Sequence, residues 1–232
     1  MKKTIFCGLL FLLLHLHCIF AQQEADFEWE ESLGTVTITG YEGNDTAVTI
    51  PGNIQGLPVT VIAANAFANK GLTGVVIPDS VRYIEPYAFA NNELAYAIIQ
   101  NGVFSIGDGA FSNNKLTGIT IPDSVSGLGQ GAFARNRLTG VAISDSIGIL
   151  DSAVFAYNSL SNVVIPGGVL IIDYAVFACN PVTSITIREG VSLRWEMLGG
   201  NDSFEQAYEK SGRLAGTYTR PNPESTVWTR ED

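Results

Sequence analysis

The chain has 232 residues, of which 46% are hydrophobic and only 16% are charged, and its formal net charge is −10. Ordinary globular domains contain about 25% charged residues, so this chain is poor in charge and yet acidic in balance. Its hydrophobic content excludes intrinsic disorder, and the sign of its charge argues against nucleic acid as a partner.

Residues 1–21 have the pattern of a secretory signal peptide. Lys2 and Lys3 precede an apolar run that ends at Phe20, and Ala21 is followed by a polar stretch. The run is shorter than the roughly 20 apolar residues that a membrane-spanning helix needs. We therefore expect cleavage after Ala21, with an uncleaved anchor or a lipid-modified Cys18 as alternatives.

Cleavage would change the chemistry that the chain can perform. Both histidines, Cys7 and Cys18 would be lost, and 11 basic residues would face 23 acidic ones, for a net charge of −12. Cys179 would be the single thiol, so no internal disulfide could form. The expectation is an exported protein; the pattern leaves open whether it ends in the periplasm, on the outer surface or in the medium.

Residues 22–47 predict an N-terminal cap. Phe27 and Trp29 alternate with acidic residues, and a second alternation runs from Thr35 to Thr39. Alternation of this kind is typical of strands with one buried face, so we expect a β-hairpin over the first repeat.

A 22-residue repeat occupies residues 48–191. Phenylalanine recurs at a constant step, and columns of Leu, Ile, Val and Asn keep the same step. The phenylalanines are Phe67, Phe89, Phe111, Phe133, Phe155 and Phe177. A period between 20 and 30 with this spacing predicts a mostly β, leucine-rich-repeat solenoid of about seven coils.

Each coil is expected to place one short strand in a parallel sheet on the concave side. Seven strands stacked about 4.8 Å apart would make a sheet about 29 Å wide. The predicted strands are 48–50, 75–77, 97–99, 119–121, 141–143, 163–165 and 185–187. Five extra residues fall within 52–58, in the first coil.

The asparagine column predicts a structural ladder. A tight coil leaves backbone donors and acceptors inside its corner, and a side-chain amide can satisfy both kinds. The column consists of Asn92, Asn114, Asn136, Asn158 and Asn180.

Residues 192–232 predict a C-terminal capping module. Ser203 and Gln206 fit a helix capping box, and Gly212 fits a helix stop. The segments 216–219 and 227–229 are interpreted as two closing strands.

The repeat resembles a known family. The stretches 121–125 and 131–133, followed by Asn136, are similar to the BspA-like leucine-rich repeats, and the Asn/Thr-rich segment 113–117 resembles their spirochaete branch. The resemblance covers about residues 48–191. It implies an exported or surface protein of bacteria that adheres to host matrix or cell-surface proteins, or that takes part in coaggregation.

The concave face is the predicted protein-binding site. Its outward positions carry no charge and several are apolar, and a large exposed apolar patch tends to mark a contact surface. The alternative interpretation is that these residues only favour the strand conformation and bind no partner. The candidate residues are Val76, Tyr96, Ile98, Thr120, Ala142, Asn162, Val164 and Thr186.

An acidic edge borders this face at Asp79, Asp123, Asp145 and Glu189. Calcium would need several oxygens brought together, so turn-forming, solvated carboxylates are preferred over a metal site. If the edge binds anything, a basic patch on a protein is favoured.

Catalysis is the least favoured class of function. The chain after residue 21 has no histidine, and neither a phosphate-binding loop nor a dinucleotide fingerprint is present. We therefore predict a non-enzymatic protein without metal or small-molecule cofactor. The first hypothesis is a protein-binding module. The second is a structural or self-associating envelope protein, and the third is a carbohydrate-acting enzyme.

Overall fold

The computed structural model describes residues 24–194, 196–200 and 203–231. The signal peptide predicted for residues 1–21 lies outside the described residues. Within the described part, no helix has the length and apolarity needed to cross a bilayer.

The described chain contains nineteen strands and one helix. In chain order they are β1 (Phe27–Ser32), β2 (Thr35–Tyr41), β3 (Ala47–Thr49), β4 (Asn53–Ile54), β5 (Leu57–Ile62), β6 (Gly74–Ile77), β7 (Tyr83–Ile84), β8 (Tyr96–Ile99), β9 (Ser105–Ile106), β10 (Gly118–Thr120), β11 (Gly127–Leu128), β12 (Gly140–Ala142), β13 (Ile149–Leu150), β14 (Asn162–Val164), β15 (Ile171–Ile172), β16 (Ser184–Ile187), β17 (Ser192–Leu193), α1 (Ser203–Lys210), β18 (Gly216–Thr219) and β19 (Thr229–Glu231).

The predicted solenoid of about seven coils is confirmed. The seven concave strands are β3, β6, β8, β10, β12, β14 and β16, and each begins one residue before its predicted start. The extra residue takes part in the ladder, as in the pairs Gly74 with Tyr96 and Gly118 with Gly140.

The concave sheet is divided into three blocks, which the repeat pattern does not predict. Parallel pairing joins β3 to β6 to β8, β10 to β12, and β14 to β16. No ladder joins β8 to β10 or β12 to β14, so β10 and β12 form a two-stranded block between two interruptions.

A second sheet covers another side of the coils. Strands β2, β5, β7, β9 and β11 run parallel in it, and β13, β15 and β17 continue in a separate block. The five extra residues of the first coil form a small hairpin of β4 and β5, which turns at Gln55 and Gly56.

The core between the sheets is a stack of aromatic rings. Neighbouring rings from Phe67 to Phe177 lie nearly parallel, with centroids 4.9 to 5.9 Å apart. All six phenylalanines are fully buried. One ring per coil therefore fills the centre of the solenoid from end to end.

The asparagine ladder is present as predicted. In Asn136, Nδ2 donates to the carbonyl oxygens of Phe111 and Phe133 at 2.9 and 3.1 Å, and Oδ1 accepts from the amide of Leu116 at 3.1 Å. Each asparagine thus bonds its own coil and the preceding one, which fixes the stacking distance.

Both predicted caps are confirmed. At the N-terminal end, β1 and β2 form an antiparallel hairpin whose Phe27 and Tyr41 rings extend the stack to Phe67. At the C-terminal end, α1 buries Phe204 and Tyr208, and β18 pairs antiparallel with β16.

The second closing strand begins at Thr229, two residues later than predicted for 227–229. Trp228 instead turns into the cap, where its ring packs edge-on against Phe204 at 5.2 Å. Because the Trp228 side chain is buried in the cap, Trp228 is not part of the strand, which begins at the next residue.

Candidate functional site

The strand register brings the eight predicted site residues onto one face. Val76 lies beside Ile98, Thr120 beside Ala142, and Val164 beside Thr186. The flanking row contains Tyr96 and Asn162. Neighbouring residues on paired strands are about 5 Å apart within each of the three blocks, and we call the surface that the three blocks form together the concave face.

Exposure on the concave face is uneven. Val164 is 65% exposed, Ile98 is 51% exposed and Tyr96 is 46% exposed. Val76 and Thr186 are less exposed and are half-buried. A partner that covered the concave face would remove apolar area from water at Ile98 and Val164, which makes them the two strongest candidates of the predicted set.

A depression lies in the middle of the concave face. Tyr96 leans towards Gly74, where a Cβ atom would lie only 2.2 Å from the tyrosine ring. Gly118 and Gly140 have nothing above them within 4 Å of such an atom. The depression has a volume of about 420 Å³, with Tyr96 and Ile98 at one side and Thr120 among its lining residues.

The depression coincides with an interruption of the sheet. Because no ladder joins β8 to β10, the inward residues Ile99 and Ile119 line it and remain 8% and 6% exposed. Val141 and Ile143, which also belong to inward columns, are only partly buried. Ile99 and Ile119 stay buried, so only a small part of each side chain contributes to the lining of the depression.

Opposite charges lie beyond the two ends of strands β10 and β12, which both contribute residues to the lining of the depression. Lys115 and Arg137 precede β10 and β12, and we call them the basic rim; Asp123 and Asp145 follow the same two strands, and we call them the acidic rim. All four are exposed. Lys115 forms an ion pair with Glu93 of the preceding coil.

This arrangement of charge occurs only in the two coils of β10 and β12. The positions that correspond to Arg137 are Glu93 and Ser159 in the two neighbouring coils, and those that correspond to Asp145 are Asn101 and Gly167. The acidic edge was predicted from the sequence, whereas the basic rim was not. Comparison of both columns along the 22-residue step would have revealed it.

The C-terminal cap extends the concave face. Strands β18 and β19 continue the sheet beyond β16, and Thr186 shares a hydrogen bond of 2.9 Å with Thr217 across the junction. Thr219 lies beside Ser184 in the same register. The capping module thus adds hydroxyl-bearing side chains to the surface, which its sequence does not indicate.

Among the described residues, no three His, Cys, Asp or Glu side chains lie together in a way that could hold a metal ion. In the acidic rim, Asp145 accepts a hydrogen bond from the amide of Gly168 at 3.4 Å. Cys179 is exposed, and it occupies a left-handed corner position with a φ angle of 56°.

A second depression, of about 310 Å³, lies on the corner turns. Tyr87, Asp108 and Arg135 line it, and the Arg135 guanidinium stacks on Tyr157 at 4.5 Å. Its lining is more polar than that of the concave depression, and it does not coincide with any predicted site residue.

Residues 60–184 match the family model of the BspA type leucine rich repeat region in six copies. The chain belongs to this family. The leucine-rich repeat solenoid is in general a scaffold for protein interaction rather than for catalysis. A comparison with curated protein sequences found no match.

Several solved structures are similar to this BspA-type protein. The leucine-rich repeat protein of T. pallidum is 26% identical with a TM-score of 0.68, and the match covers 83% of this chain and 98% of that one. A leucine rich cell surface protein from Faecalibacterium prausnitzii is 28% identical with a TM-score of 0.54, over 69% of this chain and 52% of its own.

The pneumococcal vaccine antigen PcpA shares the fold, with 21% identity and a TM-score of 0.59 over 71% of this chain and 49% of its own. The chain therefore spans about half of the F. prausnitzii and pneumococcal proteins that it matches. Two of these neighbours are named as leucine-rich proteins, and one of the two is named as a cell-surface protein.

Proposed function

We propose that the chain is an exported protein-binding module that holds a partner protein against its concave face. The observation that carries the proposal is the depression of about 420 Å³ on a face whose predicted site residues are all uncharged. Concave sites with apolar lining and few polar groups are the usual form of recognition pockets. The exposed side chains of Ile98 and Val164 would be covered by the partner.

The proposal includes attachment to host matrix or cell-surface proteins. It is supported by the family membership and by the surface location named for the F. prausnitzii protein. The proposed organisation is a signal peptide at 1–21, an N-terminal cap at 22–47, the solenoid at 48–191 and a capping module at 192–232. The apolar run before Ala21 would direct export.

A solid-phase binding assay with host matrix proteins tests the proposal. We expect saturable binding, and we expect Ile98→Asp and Val164→Asp to weaken it at least about tenfold, since a partner would have to desolvate the new charge. Ile149→Asp is the matched control, because Ile149 is 50% exposed on the second sheet. Circular dichroism checks that all variants fold; equal binding by all three would refute the use of the concave face.

Self-association is the second candidate, and a specific feature favours it. Strand β19 is the last strand of its sheet in the described chain, and all three of its residues are exposed. An open strand edge can pair with another chain. Sedimentation at rising protein concentration tests this function, and a constant monomer mass would refute it.

A further inference from the structure

We propose that the depression binds one large apolar side chain from an extended segment of a partner protein, while an acidic residue of that segment meets the basic rim and a basic residue meets the acidic rim. The inference rests on the proposed function, which it refines by defining the chemistry of the partner.

The apolar part of the recognition comes from the interrupted sheet. Ile98, Ile99 and Ile119 line the depression together with the ring of Tyr96. A volume of about 420 Å³ can hold an aromatic or large aliphatic side chain together with part of its backbone. Such a side chain would lie against the exposed side chains of Tyr96 and Ile98 and against the small exposed parts of Ile99 and Ile119.

The charged part comes from the two rims. Arg137 and Asp145 lie at opposite ends of the same strand segment, eight residues apart in sequence. Extended chain spans at most about 3.3 Å per residue, so their separation is at most about 26 Å. An extended partner segment of about nine residues could therefore reach both rims and place its middle residue in the depression.

The two signs of charge select among occupants. A fatty acid carries an apolar chain and only one sign of charge, so it would leave the acidic rim unmatched. Nucleic acid would meet a protein of net charge −10. A polypeptide segment supplies both signs around an apolar centre, and it is therefore the occupant that the charge pattern favours.

Synthetic peptides of about nine residues, with Phe in the middle and polar uncharged residues elsewhere, provide the probe. The first peptide has Glu at one end and Lys at the other, and further peptides have two Glu, two Lys, or Ser in place of Phe. Fluorescence polarisation with the full chain measures their binding. We expect the mixed-charge Phe peptide to bind at least about tenfold more tightly than the other three.

A rim-reversed variant tests the electrostatic part without depending on the direction in which the peptide lies. Lys115→Glu combined with Arg137→Glu makes both rims acidic, so the preference should change to the peptide with two Lys residues. The double variant Glu209→Arg with Arg213→Glu is the control. These residues form an exposed ion pair on the capping module, and the exchange reverses the order of the two charges while both rims stay unchanged. That control should keep the original preference.

Three outcomes would overturn the inference. They are equal binding of all peptides, an unchanged preference in the rim-reversed variant, and binding of a fluorescent fatty acid without binding of any peptide. If one of these outcomes is found while Ile98→Asp still weakens binding to host matrix proteins, the proposed function stands and this inference fails. If neither assay detects binding, both fail.

Discussion

Individual residues in left-handed backbone conformation recur through the solenoid. Two corner positions in each coil have φ angles near 60°, as at Tyr87 and Asn91 or at Ala153 and Tyr157. Residues with a Cβ atom, other than asparagine and aspartate, are disfavoured there by about 1 to 2 kcal/mol. Several coils therefore tolerate local strain that the surrounding packing and hydrogen bonds offset.

The N-terminal hairpin has the same feature at a freely exposed site. Leu33 and Gly34 form its two-residue turn with φ angles of 53° and 77°, and Leu33 is 101% exposed. Two positive φ angles define the turn type that prefers Asn-Gly. We expect Leu33→Asn to stabilise the protein by about 1 kcal/mol, and to raise the melting temperature by about 2 to 4 °C in calorimetry.

The control for this prediction is Leu33→Ala, which keeps the strained conformation and removes the same exposed side chain. It should change the free energy of unfolding by less than about 0.5 kcal/mol. Stabilisation by both variants would show that the exposed leucine, and not the backbone, is responsible.

At the scale of one coil, the asparagine ladder links neighbouring coils through buried side-chain amides. Asn136 is buried and its amide joins the carbonyls of two successive coils. We expect Asn136→Ala to lower the free energy of unfolding by about 3 kcal/mol, because it leaves buried backbone groups without partners. Urea denaturation followed by circular dichroism measures the loss.

The Asn136→Asp variant adds a dependence on pH. Its carboxylate would face the carbonyl oxygens of Phe111 and Phe133, whereas a protonated carboxyl group can donate to them. The loss of stability should therefore be greatest at pH 7 and should shrink as the pH falls towards about 4. Asn113→Asp, at an exposed corner, is the control and should show little change with pH; an equal response of both variants would contradict the role of the ladder.

On the scale of the whole molecule, each cap contains one buried tyrosine whose pKa is raised. Burial raises the pKa of Tyr41, and Asp26 and Asp45 raise it further. Burial also raises the pKa of Tyr208, whose hydroxyl donates to the carbonyl of Arg188 at 2.7 Å and accepts from the amide of Val191 at 3.1 Å. The folded state therefore favours the neutral form of both side chains.

This linkage predicts the behaviour of the protein in alkali. A raised folded-state pKa contributes stability that is fully present below the unfolded value of about 10, and the contribution is lost as the pH rises through the folded value. We expect the urea midpoint to fall above about pH 10 and to fall less in Tyr41→Phe. An identical alkaline profile for wild type and variant would contradict the assignment.

The repetitive part of the architecture was determined by the sequence itself. The phenylalanine and asparagine columns at a 22-residue step predict the ring stack and the amide ladder, because identical side chains at a constant step can only stack when each coil repeats the previous one. The outward positions of the concave strands follow from the same step, so the eight candidate residues could be named in advance.

Only the tertiary structure decided the shape of the concave face. The repeat predicts an even seven-strand ladder, whereas the pairing stops on both sides of β10 and β12. The lean of Tyr96 over Gly74, the open floor at Gly118 and the strands added by the C-terminal cap are also absent from the periodic pattern. Periodicity specifies what each coil shares with its neighbours, but a depression arises where neighbouring coils differ, and those differences are set by how unequal side chains pack across the sheet.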